Sequence, residues 1–158
     1  MDHFDGLCKT LANGYDCIKM DLGASCVPWE TDYNSGITVA SNGIVEGCQN
    51  QNPGADDCVI NTCAVEGQFV LEIFAAIIFN SQQLDGGLKV KNGFQQDQVC
   101  NYGTSQVDGP VQCCGAYPER FKYRSNNGMT GCCSQTLFNV NSMECCADGS
   151  TQLIGSCP

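Results

Sequence analysis

Residues 56–80 read Asp56-Asp57-Cys58-Val59-Ile60-Asn61-Thr62-Cys63-Ala64-Val65-Glu66-Gly67-Gln68-Phe69-Val70-Leu71-Glu72-Ile73-Phe74-Ala75-Ala76-Ile77-Ile78-Phe79-Asn80. An acidic pair opens the stretch, where carboxylates cap helix N–H groups and favour the helix dipole. Val59, Ile60, Cys63, Val65, Phe69, Val70, Ile73, Phe74, Ile77 and Ile78 follow at helical spacings, so one long helix is expected from Asp56 to about Asn80. Gly67 is its weak point, costing about 1 kcal/mol against alanine. The longest apolar run, Phe69 to Phe79, is broken by Glu72 and is too short to span a bilayer. It reads as core rather than as an exposed groove, and no transmembrane segment is expected.

Upstream, Phe4, Cys8, Leu11, Tyr15 and Ile18 recur at spacings of four and three, which predicts a helix from about Asp2 to Lys19. Between the helices, Gly36-Ile37-Thr38-Val39-Ala40 and Ile44-Val45-Glu46 flank Ser41-Asn42-Gly43. Asn-Gly between such segments predicts a β-hairpin. Downstream, prolines and glycines leave short pieces, with strands expected at 120–124 and 136–140 and a tight turn at Asn127-Gly128.

Charge and cysteine set the class. The 158-residue chain has a net charge of -10. Residues 1–85 hold twelve acids and two bases, whereas residues 86–158 hold five of each. Such an acidic chain does not suit nucleic acid, which calls for a basic face. Fourteen cysteines, with adjacent pairs at Cys113-Cys114, Cys132-Cys133 and Cys145-Cys146, indicate an oxidising compartment and a secreted, extracellular protein. The start Met1-Asp2-His3-Phe4-Asp5 has no basic region and no apolar region, so the chain reads as a mature or excised part of such a protein. His3 is the sole histidine and no Cys-x-x-Cys occurs, so no metal site is expected.

The fold class expected is therefore α+β and disulfide-rich: two long antiparallel helices with a β-hairpin, plus a small loop-rich cysteine module. The division expected is 1–85 for the helical domain, 86–99 for a linker and 100–158 for an eight-cysteine module. Six cysteines precede the join (Cys8, Cys17, Cys26, Cys48, Cys58, Cys63) and eight follow it (Cys100, Cys113, Cys114, Cys132, Cys133, Cys145, Cys146, Cys157), so each half could close its own disulfides. Eight cysteines allow 105 pairings, which leaves connectivity in the second half open.

The first half resembles the secreted phospholipase A2 family. The family's catalytic helix, Asp-x-x-Asp-x-Cys-Cys-x-x-His-Asp-x-Cys-Tyr, is matched by Asp2-His3-Phe4-Asp5-Gly6-Leu7-Cys8-Lys9-Thr10-Leu11-Ala12-Asn13-Gly14-Tyr15. Its second long helix is matched by Cys58 to Cys63, Val65-Glu66 and Glu72-Ile73, and Cys26-Val27-Pro28 with Tyr33 looks like its loop. The resemblance implies the pairs Cys26–Cys58 and Cys48–Cys63. It places two family disulfides at Leu7 with Glu72 and at Gly14 with Val65, where both partners are missing. Cys8, without its family partner, is expected to turn to Cys17.

The resemblance also implies a site without its chemistry. The family's base, calcium-holding aspartate and base-orienting aspartate fall on Leu11, Ala12 and Glu66. Leucine takes no proton and alanine holds no calcium. Glu66 reads as a locally hydrogen-bonded acid rather than a residual site group. The second half resembles cysteine-rich modules of extracellular invertebrate proteins with the pattern CCG-x-YP-x-RF, here Cys113-Cys114-Gly115-Ala116-Tyr117-Pro118-Glu119-Arg120-Phe121.

Together these point to a secreted, non-catalytic structural or interaction protein of a matrix, coat, adhesive or self-associating assembly, with no cofactor. Its partners would be copies of itself or other extracellular proteins. The alternative is a lipid- or toxin-like binding protein that retains the family's apolar channel near Leu11 and Phe69. The acids Asp16, Asp21, Glu30, Asp32, Asp56 and Asp57 read as a solvated face, with weak surface calcium as the other reading. Trp29 is either an exposed contact residue or a cap over the helices. Arg120, Lys122 and Arg124 share a strand face and could dock on an acidic neighbouring molecule.

Overall fold

The computed structural model describes residues 3–35, 43–79 and 109–158. Helix α1 spans His3–Leu22, a 3-10 turn spans Pro28–Glu30, α2 spans Ile44–Gln51 and α3 spans Asp57–Phe79. Six short strands follow: β1 Val111–Cys114, β2 Phe121–Arg124, β3 Thr130–Cys133, β4 Thr136–Asn139, β5 Met143–Cys145 and β6 Thr151–Leu153. They pair as three antiparallel hairpins, β1-β2, β3-β4 and β5-β6. The chain is thus α+β, with six disulfides among the described residues.

The core lies along α3, which packs on two partners. Against α2 it buries Ile60, Cys63 and Ala64 with Cys48, and Tyr33, Ile44 and Val45 close the edge. Against α1 it buries Val65 with Ile18 and Cys26, flanked by Leu11, Tyr15, Leu22 and Cys58. Asp56 Oδ1 accepts the Val59 N–H at 3.0 Å and so caps the start of α3. Gly67 has a packing reason, since a Cβ there would lie 3.1 Å from the Ile44 side chain on α2. By length and composition α3 could cross a membrane, with mean hydropathy 1.4 over Asp57–Ala76. Two disulfides to flanking segments and the contacts of Glu66 tie the first half of α3 into the fold, and a third of that window is buried.

The hairpin expected at 36–46 is corrected in its second arm: Ile44-Val45-Glu46 opens α2. Asn-Gly did mark a positive φ, since Gly43 sits at +104°, but that conformation caps a helix rather than closing a turn. Ile44 and Cys48 are four apart, a helical spacing, and both meet α3, with Cys48 bonded to Cys63. Tertiary packing outweighs the β-propensity of Ile-Val. The first arm, the 86–99 linker and Cys100 lie outside the described residues.

In the second half, β2 and β4 fall where strands were expected. Asn126, Asn127 and Gly128 all take positive φ in the turn between β2 and β3. The module is more regular than a loop-rich knot. Each hairpin has only three or four residues per strand, too little to stand alone in water. Disulfides supply the rest. Cys114 bonds Cys132 and Cys133 bonds Cys145, so each hairpin is stapled to the next, and Cys146 bonds Cys157 beyond the last strand.

Candidate functional site

On α1, Leu11, Gly14 and Ile18 recur every three or four residues and form the stripe that meets α3. Closest approach is at Gly14, where a Cβ would come within 2.6 Å of Val65 Cγ1. Only glycine fits there. Leu11 packs half-buried on the Ile18–Val65 cluster, and Ala12 faces solvent.

Glu66 lies one residue beyond Val65 on α3. Tyr15 on α1 and Tyr33 in the loop after the 3-10 turn each donate a phenolic hydrogen bond to one of its carboxylate oxygens. Burial, and then this shared carboxylate, push both tyrosines well above the ordinary phenol range. With both oxygens engaged, Glu66 ties helix to helix and helix to loop. The sequence reading has Tyr15 in the apolar stripe of the first helix and Tyr33 in the loop, with neither joined to Glu66. The available signal was their position: Tyr15 follows Leu11 by one helical turn.

A second cluster joins α1 to the first hairpin. Cys17 is fully buried and bonds Cys113, not Cys8. Cys8 and Cys17 are nine residues apart on one helix, about 13 Å along the axis and on opposite faces, beyond disulfide reach. Cys8 is an exposed free thiol. The expectation that each half closes its own disulfides is corrected by the same bond.

Around it, Arg120 donates from Nε at 2.7 Å and from its second guanidinium nitrogen at 3.1 Å to the two Asp21 oxygens. Tyr117 donates to Asp21 at 2.8 Å and packs on the Ile18–Val65 cluster. Lys122 pairs with Asp16. The basic strand therefore meets acids of its own α1, with Arg120 and Lys122 paired within the chain. These acids are engaged within the chain, while Asp148 is held below the usual carboxylate range by the Ser150 backbone N–H and hydroxyl.

Trp29 is 57 % exposed, with the Lys19 ammonium 4.6 Å from its ring centroid and Tyr15 beside it at 6.5 Å. It is an exposed ring seated against α1. Among the described residues no three metal-ligating side chains come together. Comparison with protein-family models, with curated proteins and with solved structures finds no match.

Proposed function

We propose that this chain is a secreted, non-catalytic interaction protein that associates with itself or with other extracellular proteins. In this reading the helical part is a phospholipase A2-like scaffold, with α1 and α3 antiparallel, that carries Leu11, Ala12 and Glu66 where the family carries its chemistry. The Gly14–Val65 contact supports that reading, because the resemblance pairs those two positions. Cys26–Cys58 and Cys48–Cys63, the pairs drawn from the resemblance, support it as well. The disulfides fit an extracellular setting.

The observation that carries the interaction reading is the exposure of large apolar side chains on both halves of a covalently stapled chain. Phe74 and Ile78 are 58 % and 67 % exposed on α3, four residues apart on one face. Leu153 and Ile154 are 66 % and 58 % exposed at the end of the last hairpin. Contiguous exposed apolar surface marks interaction sites. The test is sedimentation of the oxidised protein across concentration, with and without millimolar calcium. We expect concentration-dependent association that Phe74→Asp or Ile154→Asp weakens at least tenfold. A strict monomer in both conditions contradicts self-association.

A further inference from the structure

The register of the first hairpin sets Val111 opposite Arg124 and Cys113 opposite Lys122. Directly opposed residues project to the same side of a two-stranded sheet, so these four share one face. Cys113 bonds Cys17, so that face is turned to α1. The helix covers it at the Cys113–Lys122 end, where Met20 sulfur lies 3.8 Å from the disulfide and Lys122 pairs with Asp16. Beside Val111 and Arg124 a groove of about 860 Å³ opens, walled by α1, the first hairpin, and Thr130 and Leu137 of the second.

The groove's chemistry is uneven. Its walls include Met20, Val111 and Leu137, which are 48 %, 36 % and 40 % exposed. Beside them stand Lys19, Lys122 and Arg124, three of the seven bases of a chain whose net charge is -10. Asp16 neutralises Lys122. Lys19 and Arg124 form no ion pair among the described residues: the Lys19 ammonium rests over Trp29, and an Arg124 guanidinium nitrogen donates to the Gly109 carbonyl at 3.3 Å. Two cations without an ion pair among the described residues, set beside an apolar wall, suit a ligand that is both anionic and apolar. A bare anion would leave the wall wet, and a neutral alkyl chain would leave both cations without a counter-charge.

We propose that this groove binds a monomeric single-chain anionic amphiphile, an alkyl carboxylate whose chain lies on Met20, Val111 and Leu137 and whose head group meets Lys19 and Arg124. The site lies between α1 and the first hairpin, away from the channel near Leu11 and Phe69, and it does not depend on self-association.

The probe is dodecanoate below its micellar concentration, titrated into the oxidised full chain. Trp29, the single tryptophan, reports through its fluorescence, because a head group that draws Lys19 away changes the surroundings of the ring. Backbone amide NMR shifts give an independent readout and show that each variant is folded. We expect saturable one-to-one binding, with shifts clustered at residues 16–20, 111 and 122–124. Lys19→Gln with Arg124→Gln should weaken it at least tenfold, and so should Leu137→Asp. Lys9→Gln, an equal loss of charge per site elsewhere on α1, should leave it unchanged. Dodecyltrimethylammonium should bind at least tenfold more weakly. The proposal is overturned by any of four results: no saturable binding, equal affinity for the cationic amphiphile, affinity retained in both groove variants, or binding to anionic phospholipid vesicles without binding to the monomer.

Discussion

Gly14 is where one hydrogen atom in place of a methyl sets the spacing of two helices. Alanine is the better helix former by about 1 kcal/mol, but its Cβ would press on Val65, which is 4 % exposed and cannot move aside freely. Overpacking of this kind costs about 1–3 kcal/mol, so packing wins. We expect Gly14→Ala to lower stability by about 1 kcal/mol in denaturant unfolding. In a Val65→Ala background, which is itself less stable, Gly14→Ala should cost less, so the double-variant cycle is non-additive. Tyr15, Tyr33 and Tyr117 make a different statement. All three hold their protons above the ordinary phenol range through burial and then a carboxylate acceptor. A folded-state pKa raised above the unfolded value near 10 gives stability that is fully present below pH 10 and is lost as pH rises beyond it. Absorbance at 295 nm should therefore show Tyr15, Tyr33 and Tyr117 ionising late and together with unfolding. Tyr15→Phe with Tyr33→Phe should remove two of the three late ionisations.

At the scale of elements, the adjacent cysteines do more than staple. Successive residues of a strand point to opposite faces, so a Cys-Cys pair reaches one neighbour on each side. Cys113 holds α1 and Cys114 holds β3, through Cys132. Cys133 holds β5 through Cys145, and Cys146 holds the C-terminal Cys157. The result is a covalent series in which each hairpin depends on the link before it. Cys133→Ser with Cys145→Ser should release the last hairpin, with amide protection lost over residues 143–153 and kept over 111–139. A closed loop of this size contributes about 3 kcal/mol. Much of this was readable in advance. The long apolar period of residues 56–80 gave α3, and the stripe through Leu11, Tyr15 and Ile18 gave α1. The helix at Ile44 was not readable, because eight residues of weak period cannot show that they will pack on α3. Nor was the disulfide series, since period-two geometry says that adjacent cysteines diverge but not toward which partners. At the candidate site, Glu66 reads from the sequence as a hydrogen-bonded acid, whereas its pairing with Tyr33 spans 33 residues and exists only in three dimensions.

Across the whole molecule, the acidic first half and the neutral second half answer each other inside one chain. Asp16 and Asp21 on α1 meet Lys122 and Arg120, and Tyr117 enters the helical core. Partly exposed ion pairs contribute at most about 1 kcal/mol each, so they orient this seam more than they hold it. The Cys17–Cys113 bond holds it, closing a loop of 96 residues in sequence. The central claim is that the helical part and the hairpin series form one covalent body, with α1 as the first link. Non-reducing peptide mapping tests this most directly, with electron-transfer fragmentation to resolve the adjacent cysteines. A Cys17–Cys113 cross-link accompanied by Cys114–Cys132 and Cys133–Cys145 is the expected result. Cys17 bonded within residues 1–85, with residues 100–158 closed among themselves, would contradict it.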